Sequence, residues 1–195
     1  MVGSRTIKTL IALLVTMTVG SAALMLMEKA PIRPPITHLA AIDPSAGGLF
    51  DLVTQTRASL KKGKWRNILI HTSAEGLDPE RECHFIVSHQ TDADGSNVRA
   101  TVLWSTQQQG NHGFLPVHDY NADSIAVFVT GDFSSQGPSR QQFQALLDLA
   151  RTLQQACGIT ADRVYLYNHI DPRSGSPGAA FPADEFRDGL LRPSR

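Results

Sequence analysis

Apolar residues recur along the body of the chain with two periods, and each period predicts one kind of element. Short runs rich in Ile, Val and Phe, bounded by Gly, Asp or Asn, predict strands at 68–71, 84–89, 99–104, 124–131 and 164–169. Apolar positions at helical spacing predict a long helix from Arg140 to Cys157, capped by Ser139 and Gln142 and ended by Gly158. Further helices are predicted over 43–62 and near 184–191. Strands interrupted by helices predict an α/β fold with a central mixed β-sheet flanked by helices.

The first 42 residues follow a different pattern. Arg5 and Lys8 precede a stretch at 10–27 without a charged residue, which approaches the shortest helix that spans a bilayer. Residues 1–28 are therefore predicted to be a transmembrane anchor or, alternatively, a cleaved signal segment. Residues 29–42 are predicted to be a proline-containing linker, and 43–195 a single domain. Both alternatives predict a body outside the cytoplasm, in the periplasm or cell envelope, because basic residues before such a segment tend to stay inside.

Composition and charge exclude several function classes. With 42% hydrophobic and 18% charged residues, the chain has enough apolar matter for a core and too little charge for a disordered protein. Residues 36–195 carry a net charge of −3, so no nucleic-acid partner is expected. Cys83 and Cys157 are the two cysteines, and their spacing leaves a disulfide between them open.

Histidines at strand ends are the first candidates for chemistry. His71 and His169 each end a predicted strand, where folds commonly present ligands and catalytic groups. Imidazole is the usual nitrogen ligand of zinc, and two rigid strand ends can hold a fixed separation. A structural, hydrogen-bonded role for each histidine is the alternative, because spacing alone does not establish that they are neighbours.

Six segments then occur in a recognisable order over residues 65–182. They are WRNILIHTSAEG, CHFIV, GNH, YNADSIAVFVTGDF, PSRQQFQALLDLARTL and GITADRVYLYNHIDPRSGSPGAAFP. In this order they resemble the zinc-dependent N-acetylmuramoyl-L-alanine amidases and the related peptidoglycan recognition proteins. The resemblance implies a mixed sheet with a substrate groove over it. It also implies hydrolysis of the amide that joins muramic acid to the first L-alanine of the peptidoglycan stem.

The resemblance implies a metal site, which this sequence changes. The family's two zinc histidines correspond to His71 and His169, and its third ligand, a Cys or Asp before Pro-Gly, corresponds to Ser176. A serine hydroxyl is neutral and a poor zinc ligand, so zinc is expected to be weakly bound or lost. Asp171, two residues after His169, is the alternative source of a carboxylate.

The positions that act on substrate are changed as well. The family's active-site tyrosine corresponds to Cys83, whose thiol reaches less far, and a lysine of some members corresponds to Ser174. The resemblance assigns substrate binding to Thr72, His112 and Asn121. The family's helix of some twenty residues after the first zinc histidine is reduced here to 77–82, so one wall of the groove is predicted to be missing or rebuilt.

These replacements predict a degenerate family member. We expect an amidase-like domain that binds peptidoglycan, is tethered to the membrane, and has weak or absent zinc-dependent hydrolysis. Two alternatives stay open. One is an active zinc amidase with an unusual third ligand that works in cell-wall turnover. The other is a scaffold whose groove binds another envelope protein.

Overall fold

The computed structural model describes residues 47–73, 76–91, 96–115 and 118–192. The anchor or signal predicted at 1–28 and the linker predicted at 29–42 lie outside these ranges and stay predictions. Within the ranges, no helix is both long enough and apolar enough to cross a membrane.

A five-stranded sheet occupies the centre of the domain. Its strands are β1 (Asn67–Thr72), β2 (Phe85–Val87), β3 (Val98–Ala100), β6 (Ser124–Val129) and β7 (Val164–Leu166), and a separate hairpin joins β4 (Phe114–Leu115) to β5 (His118–Asp119). The spatial order is β3, β2, β6, β1, β7. β1 runs parallel to β6 and β7, and β2 runs parallel to β6 but antiparallel to β3. The prediction of a mixed sheet is therefore confirmed.

One long helix covers a face of this sheet. The helices are α1 (Gly47–Thr54), α2 (Pro79–Glu82), α3 (Val102–Ser105), α4 (Arg140–Cys157) and α5 (Ala183–Gly189), with 3-10 turns at Ala161–Arg163 and Tyr167–His169. α4 has the predicted limits: Ser139 Oγ accepts a hydrogen bond from the Gln142 N–H, and Gly158 ends the helix at a left-handed φ of 70°. Its buried apolar residues pack against the sheet; they are Phe143, Leu146, Leu147, Leu149, Ala150 and Leu153.

The helix predicted over 43–62 is shorter in the structure and ends at Thr54. The chain then turns away because the backbone N–H groups of Arg57 and Ala58 both donate to the carbonyl of Ser105, at 2.8 and 3.1 Å. This tertiary pairing replaces the helical hydrogen bonds that the apolar spacing predicted.

Two predicted strands change into helical turns before their predicted ends. The one predicted at 99–104 ends at Ala100, because Thr101 Oγ1 donates to the Cys83 carbonyl at 2.7 Å and the chain continues as α3. The one predicted at 164–169 ends at Leu166 and continues as the 3-10 turn Tyr167–His169. The apolar pattern of a short run does not predict where a strand changes into a helical turn, because contacts with distant parts of the chain determine that position.

The two faces of the sheet have different surroundings. Ile68 and Ile70 belong to the large core that includes α4, whereas the opposite face has a smaller cluster; its members are Cys83, Ile86, Ala126 and Phe128, with Leu77 packed against them. Cys157, at the end of α4, packs against the large core instead. Cys83 and Cys157 therefore lie in different clusters, and no disulfide joins them.

Candidate functional site

β1 carries two candidate residues to its end. His71 and Thr72 are the last residues of the strand, and both are completely buried. Since side chains alternate along a strand, His71 lies on the face of the sheet that Leu69 occupies, away from α4. The end of β1 therefore places an imidazole on the face where the long helix does not cover the sheet.

Three buried histidine rings lie side by side at this place. This histidine row consists of His71, His112 and His84, with ring centroids 5.5 Å apart for the first pair and 5.7 Å apart for the second. Burial lowers the pKa of His84 to about 4, and burial together with the charges of the two neighbouring histidines lowers the pKa of His112 well below its ordinary range. His84 and His112 are thus neutral at pH 7 and act as hydrogen-bonding groups rather than cations.

The middle ring of the row is held through its backbone. Asn121 Oδ1 accepts hydrogen bonds from the N–H groups of His112 and Gly113, each at 2.7 Å. Asn121 thereby positions the loop that carries His112. Neither ring nitrogen of His112 meets a hydrogen-bond partner in good geometry within the described ranges, although the ring is buried.

Ser176 ties two parts of the site together. The Thr72 N–H donates to Ser176 Oγ at 3.0 Å, and Thr72 Oγ1 lies 3.3 Å from the same oxygen. The Asn168 N–H donates to the Ser176 carbonyl at 2.9 Å, and the Ser176 N–H donates to Ser174 Oγ at 3.0 Å. The completely buried Ser176 therefore connects the end of β1, through its hydroxyl, with the segment that follows β7, through its carbonyl.

The turn after β7 presents Tyr167 and His169 differently. The Tyr167 ring lies over His71, with centroids 4.4 Å apart and planes at 38°. The His169 side chain is exposed. Partial burial, followed by the charge of Arg187 in α5, lowers the pKa of His169. The structure thus brings Tyr167 into ring contact with His71, while it sets His169 at the surface near Arg187.

Comparison with known families decides which fold family surrounds this site. A sequence model described as N-acetylmuramoyl-L-alanine amidase matches residues 54–179, well over half of the chain. The chain belongs to this amidase family. The search of curated protein sequences found no match to the chain.

Solved amidase structures share the fold at low sequence identity. The N-acetylmuramoyl-L-alanine amidase LysC from Clostridium intestinale has a TM-score of 0.51 and 18% identity, over 64% of this chain and 84% of that chain. The amidase AmiD from E. coli was solved with the substrate anhydro-N-acetylmuramic acid-L-Ala-D-gamma-Glu-L-Lys. It has a TM-score of 0.54 and 17% identity, over 72% of this chain and 63% of that chain. At sequence identities this low, the structural similarity establishes a shared fold and nothing more.

Amidases of this family typically depend on zinc, and the donor set at this site does not fit that metal. The hydroxyl at position 176 is neutral and is already bonded to Thr72, whereas zinc sites use thiolate, imidazole or carboxylate. The Asp171 carboxylate is paired with Arg173 in this structure, because it accepts hydrogen bonds from Arg173 Nε at 2.9 Å and Nη2 at 3.1 Å, which lower its pKa. In the described part of the chain, no three His, Cys, Asp or Glu side chains are grouped to hold a metal ion.

The remaining family positions have mainly structural surroundings. Cys83 is completely buried in the smaller apolar cluster, so its thiol is shielded from solvent. The Ser174 hydroxyl accepts a hydrogen bond from the Ser176 N–H. Sequence reasoning missed two members of the site, His84 and Tyr167. No sequence motif indicates Tyr167, because the register of β1 against β7 is visible only in the structure.

Proposed function

We propose that this amidase-like domain binds peptidoglycan through the residues at the end of β1 and that it hydrolyses the muramoyl–L-alanine amide weakly or not at all. The observation that carries the proposal is the buried Ser176 hydroxyl. It accepts a hydrogen bond from the Thr72 amide at the position where the family resemblance implies an anionic zinc ligand. Without that anion, the two remaining positions would have to hold a dication with neutral donors alone, which is unfavourable.

Binding is supported by polar atoms that have no partner. Both ring nitrogens of the buried His112, and Oδ1 of Asn168, make no hydrogen bond of good geometry among the described residues, and the Ser124 backbone is the one weak contact of the His112 ring. A buried donor or acceptor left in this state costs about 1–3 kcal/mol. Peptide and acetamido groups of a muropeptide offer both donors and acceptors, so such a ligand would recover part of that free energy.

Co-sedimentation with insoluble sacculi tests the proposal. We expect the purified chain to sediment with sacculi and to release no stem peptide, with or without added Zn²⁺. Replacement of His112 by Ala is expected to weaken binding about tenfold or more, corresponding to the loss of about 1.4 kcal/mol. The matched control is His89→Ala, because His89 is exposed and lies outside the histidine row. Chelator-sensitive release of stem peptides would instead support an active zinc amidase. Failure to sediment would support the protein-binding scaffold.

We also propose that the domain works outside the cytoplasm, tethered through the apolar segment near the start of the chain. The support is the uncharged stretch at 10–27 behind Arg5 and Lys8. A reporter enzyme that is active only outside the cytoplasm, fused to the carboxyl end, should be active, and the fusion should stay in the membrane fraction after a carbonate wash. An inactive reporter would reject the orientation, and release by carbonate would reject the tether.

A further inference from the structure

The pairing of β1 with β7 specifies which residue faces His71. The two strands are parallel, with Ile68, Leu69 and Ile70 opposite Val164, Tyr165 and Leu166. One further step along the register brings His71 opposite Tyr167. Residues in register on neighbouring strands point to the same face at about 4.8 Å. The centroid distance of 4.4 Å between the two rings agrees with this position, although Tyr167 already belongs to the 3-10 turn.

His169 leaves this register. A 3-10 turn has three residues per turn, so the two-residue alternation of a strand no longer applies from Tyr167 onward. The His169 side chain is exposed, whereas His71 is completely buried. Ser176 is held close to His71 and Tyr167. Its Oγ accepts a hydrogen bond from the Thr72 N–H, next to His71, and its carbonyl accepts one from the Asn168 N–H, next to Tyr167.

We infer that Tyr167, rather than His169, stands at the second ligand position of the family's metal site, so that this chain has lost the site at two positions, 167 and 176. A phenol is a hydrogen-bonding group, whereas zinc sites in proteins use imidazole, thiolate or carboxylate. The site is then a set of hydrogen-bonding side chains suited to the polar groups of a muropeptide. The inference deepens the proposed function and depends on it only for the nature of that ligand.

Metal binding by four forms of the full chain tests the inference. The forms are the unaltered chain, Tyr167→His, Ser176→Asp and the double variant, each titrated with Zn²⁺ in detergent and followed by equilibrium dialysis. The double variant alone is expected to take up one Zn²⁺ per chain. Its affinity should exceed that of the unaltered chain by at least about 100-fold, since even an outer-shell partner changes metal affinity by ~10–100-fold.

Added alanine replacements in the double variant identify its ligands. His71→Ala should abolish uptake, and His169→Ala should leave it within about threefold, because the exposed side chain is not in the ligand set. Loss of uptake with His169→Ala would overturn the inference, and so would tight binding by Ser176→Asp alone that disappears with His169→Ala. A folded double variant that takes up no Zn²⁺ would overturn it as well.

A measurement on the unaltered chain covers a failure of the double variant to fold. Nuclear Overhauser effects between the ring protons of Tyr167 and His71 are expected in isotope-labelled protein. Their absence, or cross-peaks between His169 and His71, would overturn the inference. Neither experiment involves the cell wall, so its failure is distinct from a failure to sediment with sacculi.

Discussion

Acidification is expected to destabilise the fold through His84, a completely buried member of the histidine row. Its Nδ1 accepts a hydrogen bond from the Ala126 N–H at 3.0 Å, so the neutral ring carries its proton on Nε2 and donates it to the Gln108 carbonyl at 2.9 Å. A second proton, on Nδ1, would point at the Ala126 N–H inside the core and replace this hydrogen bond by a repulsive contact between two donors. Burial is the main reason that the pKa of His84 falls to about 4.

The size of the effect follows from the two pKa values. In the unfolded chain the histidine has its ordinary pKa near 6.5, so between pH 6.5 and 4 the unfolded state binds a proton and the folded state does not. The contribution of His84 to stability is therefore complete above pH 6.5 and declines as the pH falls through this interval. At about 1.4 kcal/mol per pH unit, the loss reaches about 3 kcal/mol at pH 4. That is a large part of the ~5–15 kcal/mol that stabilises a typical domain.

Urea unfolding of the unaltered chain and of His84→Gln, at several values between pH 7 and pH 4, isolates this contribution. Glutamine does not titrate but can still donate to the Gln108 carbonyl, and carboxyl groups that titrate in both proteins cancel. The unaltered chain should be the more stable at pH 7, and its advantage should shrink by about 3 kcal/mol by pH 4. His89→Gln is the control and should keep the full acid slope. An advantage that stays constant within about 0.5 kcal/mol would refute the reasoning.

Three further substitutions test how the surroundings of the site are built. Gly178→Ala should destabilise by at least about 3 kcal/mol in thermal unfolding. Its φ is +108° and its Cβ would lie 2.4 Å from a backbone carbon, whereas Gly175→Ala meets nothing within 4 Å and should be nearly neutral. Ser139→Ala should lower the free energy of unfolding by about 1 kcal/mol, because it removes the cap of α4. Ser135→Ala is the control and should have no effect, because Ser135 is exposed. Asn121→Ala should lower the free energy of unfolding by about 2–4 kcal/mol, because two buried N–H groups lose their acceptor. Asn121→Asp keeps an acceptor oxygen and should recover most of this loss. Equal losses in a variant and its control would contradict each explanation.

The sequence predicted the elements whose signals are local and strong. α4 combines a capping side chain, apolar residues at helical spacing over 18 residues and a glycine at its end. It forms with the predicted limits. The segment after Ala100 has no such local control. There the Trp104 Nε1–H donates to the Val53 carbonyl at 3.1 Å, and the chain becomes a helical turn instead of a strand. Such long-range contacts override the local preferences of a short apolar run.

Prediction of the site had a comparable limit. Motif order led to His71 and Ser176, and the structure joins both to Thr72, by backbone connection and by hydrogen bond. The partner of the His71 ring was beyond motif matching. The choice between Tyr167 and His169 depends on where β7 stops and the 3-10 turn starts, and element boundaries are the least reliable part of a pattern-based prediction.

The arrangement around His112 argues that the altered site still has a ligand. A fold that kept this region only for stability would gain from satisfying or removing the buried ring nitrogens, because unpartnered polar atoms cost about 1–3 kcal/mol. Asn121 instead uses its buried amide oxygen to hold the backbone of this histidine, so the ring is fixed where its nitrogens make no hydrogen bond of good geometry to the described residues. The serine at position 176 leaves these buried polar atoms in place. They therefore add to the support for the proposal that the domain binds peptidoglycan without hydrolysing it.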